Sequence, residues 1–357
     1  MAVPGRGLFV DPWSPRVHPH RVRPARAFAL PAVAVVAAFA LAACSATASG
    51  ETASGQSDDG ATPASGSFPL SLDNCGFATE IEAPPERVVT IKSSTTEMLL
   101  ALGLGDRIVG SAFLDGPVPD SLETVPAVEE PFAAEAPGSE ATLELEPDLV
   151  YAGWESNLTA QTAGDRETLA RLGVATYVSP AACKEDGYMP DPLTFETVFD
   201  EIEEVGALFD AKDAATRLVD DQRAALDAIE ADERGLTALW WSSGDDTPYV
   251  GAGIGAPQMI MEAAGLTNVA ADVHDTWTSL GWENVVEADP DVIVLVDAAW
   301  NPADAKMETL RSNPATREMT AVKEERYVVV PFPATEAGVR NVDAVASVVD
   351  QLADLNP

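Results

Sequence analysis

Cations are scarce in this chain, and two of them sit where a positive charge is out of place. The 357 residues carry 21 Lys and Arg against 58 Asp and Glu. Lys92 and Arg340 fall near the starts of predicted helices, where the macrodipole disfavours a cation. A cation kept there is useful against an anionic ligand, and a guanidinium can grip phosphate or carboxylate at two points. The alternative is two solvated charges. Ser93 and Ser94 follow Lys92 at a strand end and open a helix, so their backbone N–H groups add to the same anion-binding chemistry, as do those of the glycine run 251–255. The glycine run lacks the Gly-Lys-Ser ending of a phosphate loop.

Aromatic residues form the second set. Six of the seven Trp lie beyond residue 44. Trp154, Trp240, Trp241 and Trp300 follow or end predicted strands, and Trp277 and Trp282 lie in a loop. Ligands of open parallel sheets bind beyond the carboxyl ends of strands, and aromatic faces there suit a large flat ligand. Trp154, Trp240, Trp241, Trp277 and Trp300 are therefore candidate ligand contacts, with structural corners as the alternative. Trp282 neighbours Glu283 and is set aside.

Other chemistries find little material. Three His and three Cys are too few for a metal centre rich in nitrogen and sulfur. There is no Gly-x-Ser-x-Gly elbow, and His274 is the sole His beyond the leader, so the chain reads as a binder and not an enzyme. A cell-surface hydrolase or an adhesion lipoprotein is the alternative of another class; substrate turnover would separate the first from a receptor. A formal charge of −37 repels nucleic-acid backbones.

The first 44 residues read as an address. Arg21, Arg23 and Arg26 precede an apolar stretch from Ala27 to Leu41, too short for a membrane span of about 20 residues and suited to a signal h-region. It closes on Leu41-Ala42-Ala43-Cys44, which resembles a bacterial lipobox, making Cys44 the lipidation site. Beyond it the net charge is −41. Residues 45–67 are rich in Ser, Thr, Ala and Gly and form an expected tether. The expected location is the outer face of the bacterial cytoplasmic membrane, held by lipid. Cys75 and Cys183 remain; in an exported chain an even pair predicts a disulfide, closing a long loop for about 4–5 kcal/mol. Two buried free thiols are the alternative.

These residues need a scaffold. β-Branched runs at 87–91, 107–109, 149–152 and 175–178 alternate with helical patterns at 94–102 and 166–172, with Ser94 and Glu97 at capping-box spacing. Residues 113–138, rich in Pro and acids, read as loop. From Phe195 to Ile229 the period is helical, broken at Phe209-Asp210-Ala211. Strands return at 237–241, 292–296 and 327–330, with helices at 257–264 and 341–352. The expected fold is α/β with largely parallel sheets: a lobe over 68–193, a helical segment over 194–234 and a second lobe over 235–357. One echo supports duplication. Glu140 precedes Pro147-Asp148 by seven positions, Glu283 precedes Pro290-Asp291 by the same seven, and a buried-type strand follows each.

Together, Ala83-Pro84-Pro85-Glu86-Arg87-Val88-Val89, Thr96-Glu97-Met98-Leu99-Leu100-Ala101-Leu102-Gly103, the Glu140 and Glu283 segments and Gly265-Leu266-Thr267-Asn268-Val269 resemble the substrate-binding lipoproteins of ABC importers, in the class serving iron-siderophores, haem and cobalamin. The resemblance runs from about Leu70 to the end. Ile91-Lys92-Ser93-Ser94, Tyr151 to Asn157 and Val339-Arg340-Asn341-Val342 resemble a subgroup assigned to a coenzyme F-420 precursor, a deazaflavin carrying a phosphodiester. The family implies two Rossmann-like lobes joined by a long interlobe helix, with a small molecule in the cleft. It also implies a monomer without cofactor that docks on an ABC permease dimer with its ATPase. One Glu per lobe meets Arg on the permease; Glu140 and Glu283 occupy those places, or are solvated helix-start acids.

Overall fold

The computed structural model describes residues 68–355; the leader, Cys44 and the tether lie outside them. The chain enters through a hairpin of β1 (Leu70–Asn74) and β2 (Phe77–Ile81). Its two-residue turn, Cys75-Gly76, has positive φ at both positions, as a type I′ hairpin requires. Then come β3 (Val88–Ile91), α1 (Ser93–Ala101), β4 (Ile108–Ala112), α2 (Pro126–Glu129), α3 (Ser139–Glu144), β5 (Leu149–Ala152), α4 (Arg166–Arg171) and β6 (Ala175–Val178). The four strands β3 to β6 form an all-parallel sheet in the order β4-β3-β5-β6. Both faces are covered, so β3 and β5 are buried at every position and read as continuous apolar runs.

Two helices, α5 (Phe195–Leu208) and α6 (Lys212–Asp227), separate the sheets. Thr194 and Thr197 cap α5 reciprocally, and the chain turns through Asp210 at φ 54°. Gly206 lets the helices meet closely: a Cβ there would lie 2.3 Å from that of Ala215.

The second lobe holds β7 (Thr237–Ser243), β8 (Tyr249–Gly251), α7 (Ala256–Ala263), β9 (Thr267–Asn268), β10 (Trp277–Ser279), α8 (Trp282–Ala288), β11 (Val292–Asp297), α9 (Ala303–Ser312), α10 (Thr320–Lys323), β12 (Tyr327–Pro331) and α11 (Asn341–Asp354). Its sheet runs β10-β8-β7-β11-β12, with β9 beside β7. The strands β7, β9, β11 and β12 are parallel, while β8 and β10 form an antiparallel edge.

The echo has a physical basis. Glu146 and Asp289, the residues before the two prolines, are both left-handed, φ 47° and 39°; proline disfavours the right-handed helical region for its predecessor. Each following Asp then pins the start of the neighbouring strand. Asp148 accepts the N–H of Glu86 and of Arg87, at 2.8 and 3.0 Å, just ahead of β3. Asp291 accepts the N–H and hydroxyl of Thr237, both at 2.8 Å, at the first residue of β7.

Candidate functional site

The carboxyl ends of the strands in the two sheets face a cavity of about 400 Å³. The first lobe contributes Ser94 after β3, Trp154 to Ser156 after β5, and Ser179 to Lys184 after β6. The second contributes Ser242, Tyr249, Gly255-Ala256 at the start of α7, Thr276-Trp277, and Phe332 with Thr335 to Ala337 after β12. Of the candidate ligand residues, Ser94, Trp154 and Trp277 line this cavity, while Lys92, Ser93, Trp240, Trp241, Trp300 and Arg340 do not.

Lys92 is not a bare cation at the cavity. It is fully buried and ion-paired with Asp115, itself almost fully buried. Its ammonium lies 3.7 Å from the Trp154 ring centroid, 4.4 Å from that of Phe113 and 5.0 Å from that of Phe332. Cation–π attraction is strongest in such a desolvated setting. Burial pushes the Asp115 carboxyl above its usual range, and Lys92 pulls it back. The backbone is shaped to the same end. Lys92 has φ 90° and stands just before α1 with its carbonyl accepting from Thr95, Thr96 and the Thr96 N–H. Gly153 makes room: a Cβ there would lie 2.8 Å from the Lys92 Cβ. Ser93 turns its hydroxyl to the Asp115 N–H at 2.9 Å.

Arg340 is likewise engaged. Just before α11, it holds both carboxylate oxygens of Glu97 on α1 and donates to the Pro117 carbonyl at 2.7 Å. The helix α1 starts at Ser93, so Glu97 does not cap it; no side chain does. Burial raises the Glu97 carboxyl, against the hydrogen bonds and charge of Arg340. This pair ties the lobes together, as does Trp154, whose indole N–H donates to Glu336 at 3.0 Å. Burial pushes the Glu336 carboxyl up too, while Lys92 and Trp154 lower it. At the cavity wall Lys184 reaches across to Asp275 at 3.3 Å and the Thr276 hydroxyl at 3.0 Å.

The Trp residues divide by environment. Trp240 and Trp241 are fully buried in opposite core clusters of the second lobe; adjacent strand residues point to opposite faces, and both faces are covered. Trp300 is 62% exposed and packs edge-on against Phe332 outside the cavity. Trp277 stacks on Tyr249, centroids 5.9 Å apart and planes 15° from parallel. Sequence reasoning missed Tyr249, Lys184 and Glu336, although the last follows the final strand by five residues.

Cys75 and Cys183 are disulfide-bonded, Cα atoms 5.2 Å apart. The bond anchors the loop that carries Lys184 to the entering hairpin. Glu140 and Glu283 both stand exposed in the first turn of their helices, α3 and α8.

Comparison with known proteins places this geometry among relatives. A family model described as periplasmic binding protein matches residues 88–334. An uncharacterized ABC transporter substrate-binding lipoprotein of Bacillus subtilis is 26% identical over 304 residues, covering 83% of this chain and 89% of the relative. A cobalamin-binding protein of Halobacterium salinarum is 29% identical over 237 residues, 64% of this chain and 58% of the relative. The crystal structure of an ABC-type Fe3+-hydroxamate transport-system protein from Saccharomonospora viridis superposes with a TM-score of 0.68 at 28% identity, over 80% of this chain and 99% of that one.

Proposed function

This chain belongs to the periplasmic binding protein family, and from that premise we propose that it is the extracytoplasmic substrate-binding component of an ABC importer that captures a corrin or ferric-chelate solute between its lobes. The carrying observation is a cavity at the strand ends of both sheets, walled by Trp154, Trp277, Tyr249 and Phe332. Flat or bulky ligands with apolar faces suit such walls. The cobalamin-binding and ferric-hydroxamate relatives support the ligand class; none of the three relatives supports a deazaflavin precursor.

In this reading the protein is a monomer, tethered through lipidated Cys44 to the outer face of the cytoplasmic membrane. The bound solute bridges the lobes, and the loaded protein presents Glu140 and Glu283 to Arg residues of a permease dimer. Charge pairing of this kind steers encounter and sets orientation more than it adds affinity. The permease, driven by its ATPase, then opens the cleft.

The test is to purify the protein from its host and record its absorbance spectrum, then titrate the ligand-free form with cyanocobalamin and with a ferric trihydroxamate. The expected result is a corrin or ferric-chelate band and saturable quenching of tryptophan fluorescence without turnover of the probe. Absence of saturable binding to either probe contradicts the ligand assignment.

A further inference from the structure

Resting on the solute-binding reading above, we infer that the cleft selects against anions and that Glu336 is its specificity-determining residue, accepting from a ligand N–H or ammonium group. The cations around the cavity already have partners. Lys92 is held by Asp115 beneath Trp154, Arg340 by Glu97 and the Pro117 carbonyl, and Lys184 by Asp275 and Thr276. An anionic ligand would have to break one of these ties or enter beside carboxylates.

Two carboxylates line the cavity, Glu155 and Glu336. Glu155 accepts the Lys184 N–H at 2.5 Å and is fixed at the rim. Glu336 is different. Its Oε2 accepts from the Trp154 indole, and among the described residues nothing donates to its Oε1. Its backbone carbonyl accepts from Asn341 at 2.8 Å, which holds the residue in place. A half-buried acceptor there favours a donor by charge-assisted hydrogen bonding, and the stacked Tyr249–Trp277 pair, which Lys92 does not occupy, adds cation–π attraction for a ligand cation. Burial raises this carboxyl against the opposing pull of Lys92 and Trp154, and a donor on Oε1 adds to that pull. The overall charge of −37 biases encounter in the same direction.

The test compares ligands that differ at one group. In one series, ferric trihydroxamates share the iron centre and end in an ammonium, an acetamide or a succinyl carboxylate. In the other, cyanocobalamin is compared with a derivative in which one side-chain amide is hydrolysed to the acid. By fluorescence titration at low salt, the ammonium or amide form is expected to bind at least about tenfold more tightly than its carboxylate counterpart, the order of one partly screened charge contact. In Glu336→Gln, with its fold checked by circular dichroism, that ratio is expected to shrink below about threefold. Equal or tighter binding of the carboxylate members overturns the inference while leaving the solute-binding reading intact. Discrimination that survives Glu336→Gln overturns the role of Glu336. Binding of neither series overturns the ligand class proposed above, and this inference with it.

Discussion

The two lobes use the same turn and differ in what they mount at the other end of their strands. In each, a short helix is followed by a left-handed residue, then a Pro, and an Asp pins the start of the adjacent parallel strand. The surroundings of that turn are not copied. Arg87 donates to the Leu145 and Glu146 carbonyls in the first lobe, whereas Thr320 donates to Asp289 in the second. The cavity ends diverge further. The first lobe supplies Trp154 over a buried Lys92 and a disulfide-anchored loop; the second supplies an antiparallel edge carrying Tyr249 and Trp277, and the carboxylate of Glu336. Architecture is repeated where strands begin, and recognition is individual where they end.

The sharpest way to break the pairing of the lobes is at Arg340. Arg340→Met leaves Glu97 buried without its partner and is expected to cost about 3–5 kcal/mol in urea unfolding. Adding Glu97→Gln should recover most of that loss, because the uncompensated charge goes with it. Next in size is a contact between the first lobe and the helical segment that follows it. Glu201 on α5 is buried, accepts from the Tyr151 hydroxyl at 3.0 Å, and is pushed by burial to about 7 from an ordinary 4.5, against Tyr151 and Ser179. The native state therefore binds this proton more tightly than the unfolded chain does. Its stabilisation is full below about 4.5 and is lost as pH rises towards 7, by about 3 kcal/mol. Glu201→Gln should flatten this part of the pH–stability curve and raise the melting temperature at pH 8. An unchanged curve would contradict it.

The repeated turn predicts losses of the same sign at both sites. Asp291→Ala leaves two part-buried donors of Thr237 without an acceptor, for about 1–3 kcal/mol, whereas Asp148→Ala removes two exposed hydrogen bonds, for about 0.5–1.5 kcal/mol, both read from denaturant midpoints. A silent change at one site and unfolding at the other would show that the turns are alike only in sequence.

Most strands were legible because β-branched runs bounded by Gly or Pro predict buried parallel strands. The runs 149–152 and 175–178 match β5 and β6 residue for residue. The entering hairpin was not legible, since Cys-Gly is not a usual two-residue turn signal. Nor were the partners of the two cations. Asp115 lies in a stretch that reads only as acidic loop, and Glu97 is 243 positions from Arg340. Lone charges in a sequence show their type, and only the fold shows whether they are already neutralised. Trp240 and Trp241 looked like strand-end residues because the strand was expected to stop at 241; β7 runs to Ser243, which puts both in the core.

In the proposed function each lobe offers one acid, Glu140 and Glu283, to a membrane partner while the cleft between them holds the solute. Its most direct test is uptake of labelled solute by cells carrying Glu140→Arg together with Glu283→Arg, alongside the solute affinity of the purified variant. Uptake is expected to fall by at least about tenfold at unchanged affinity, with each single variant intermediate; wild-type uptake by the double variant would rule out docking through these two acids.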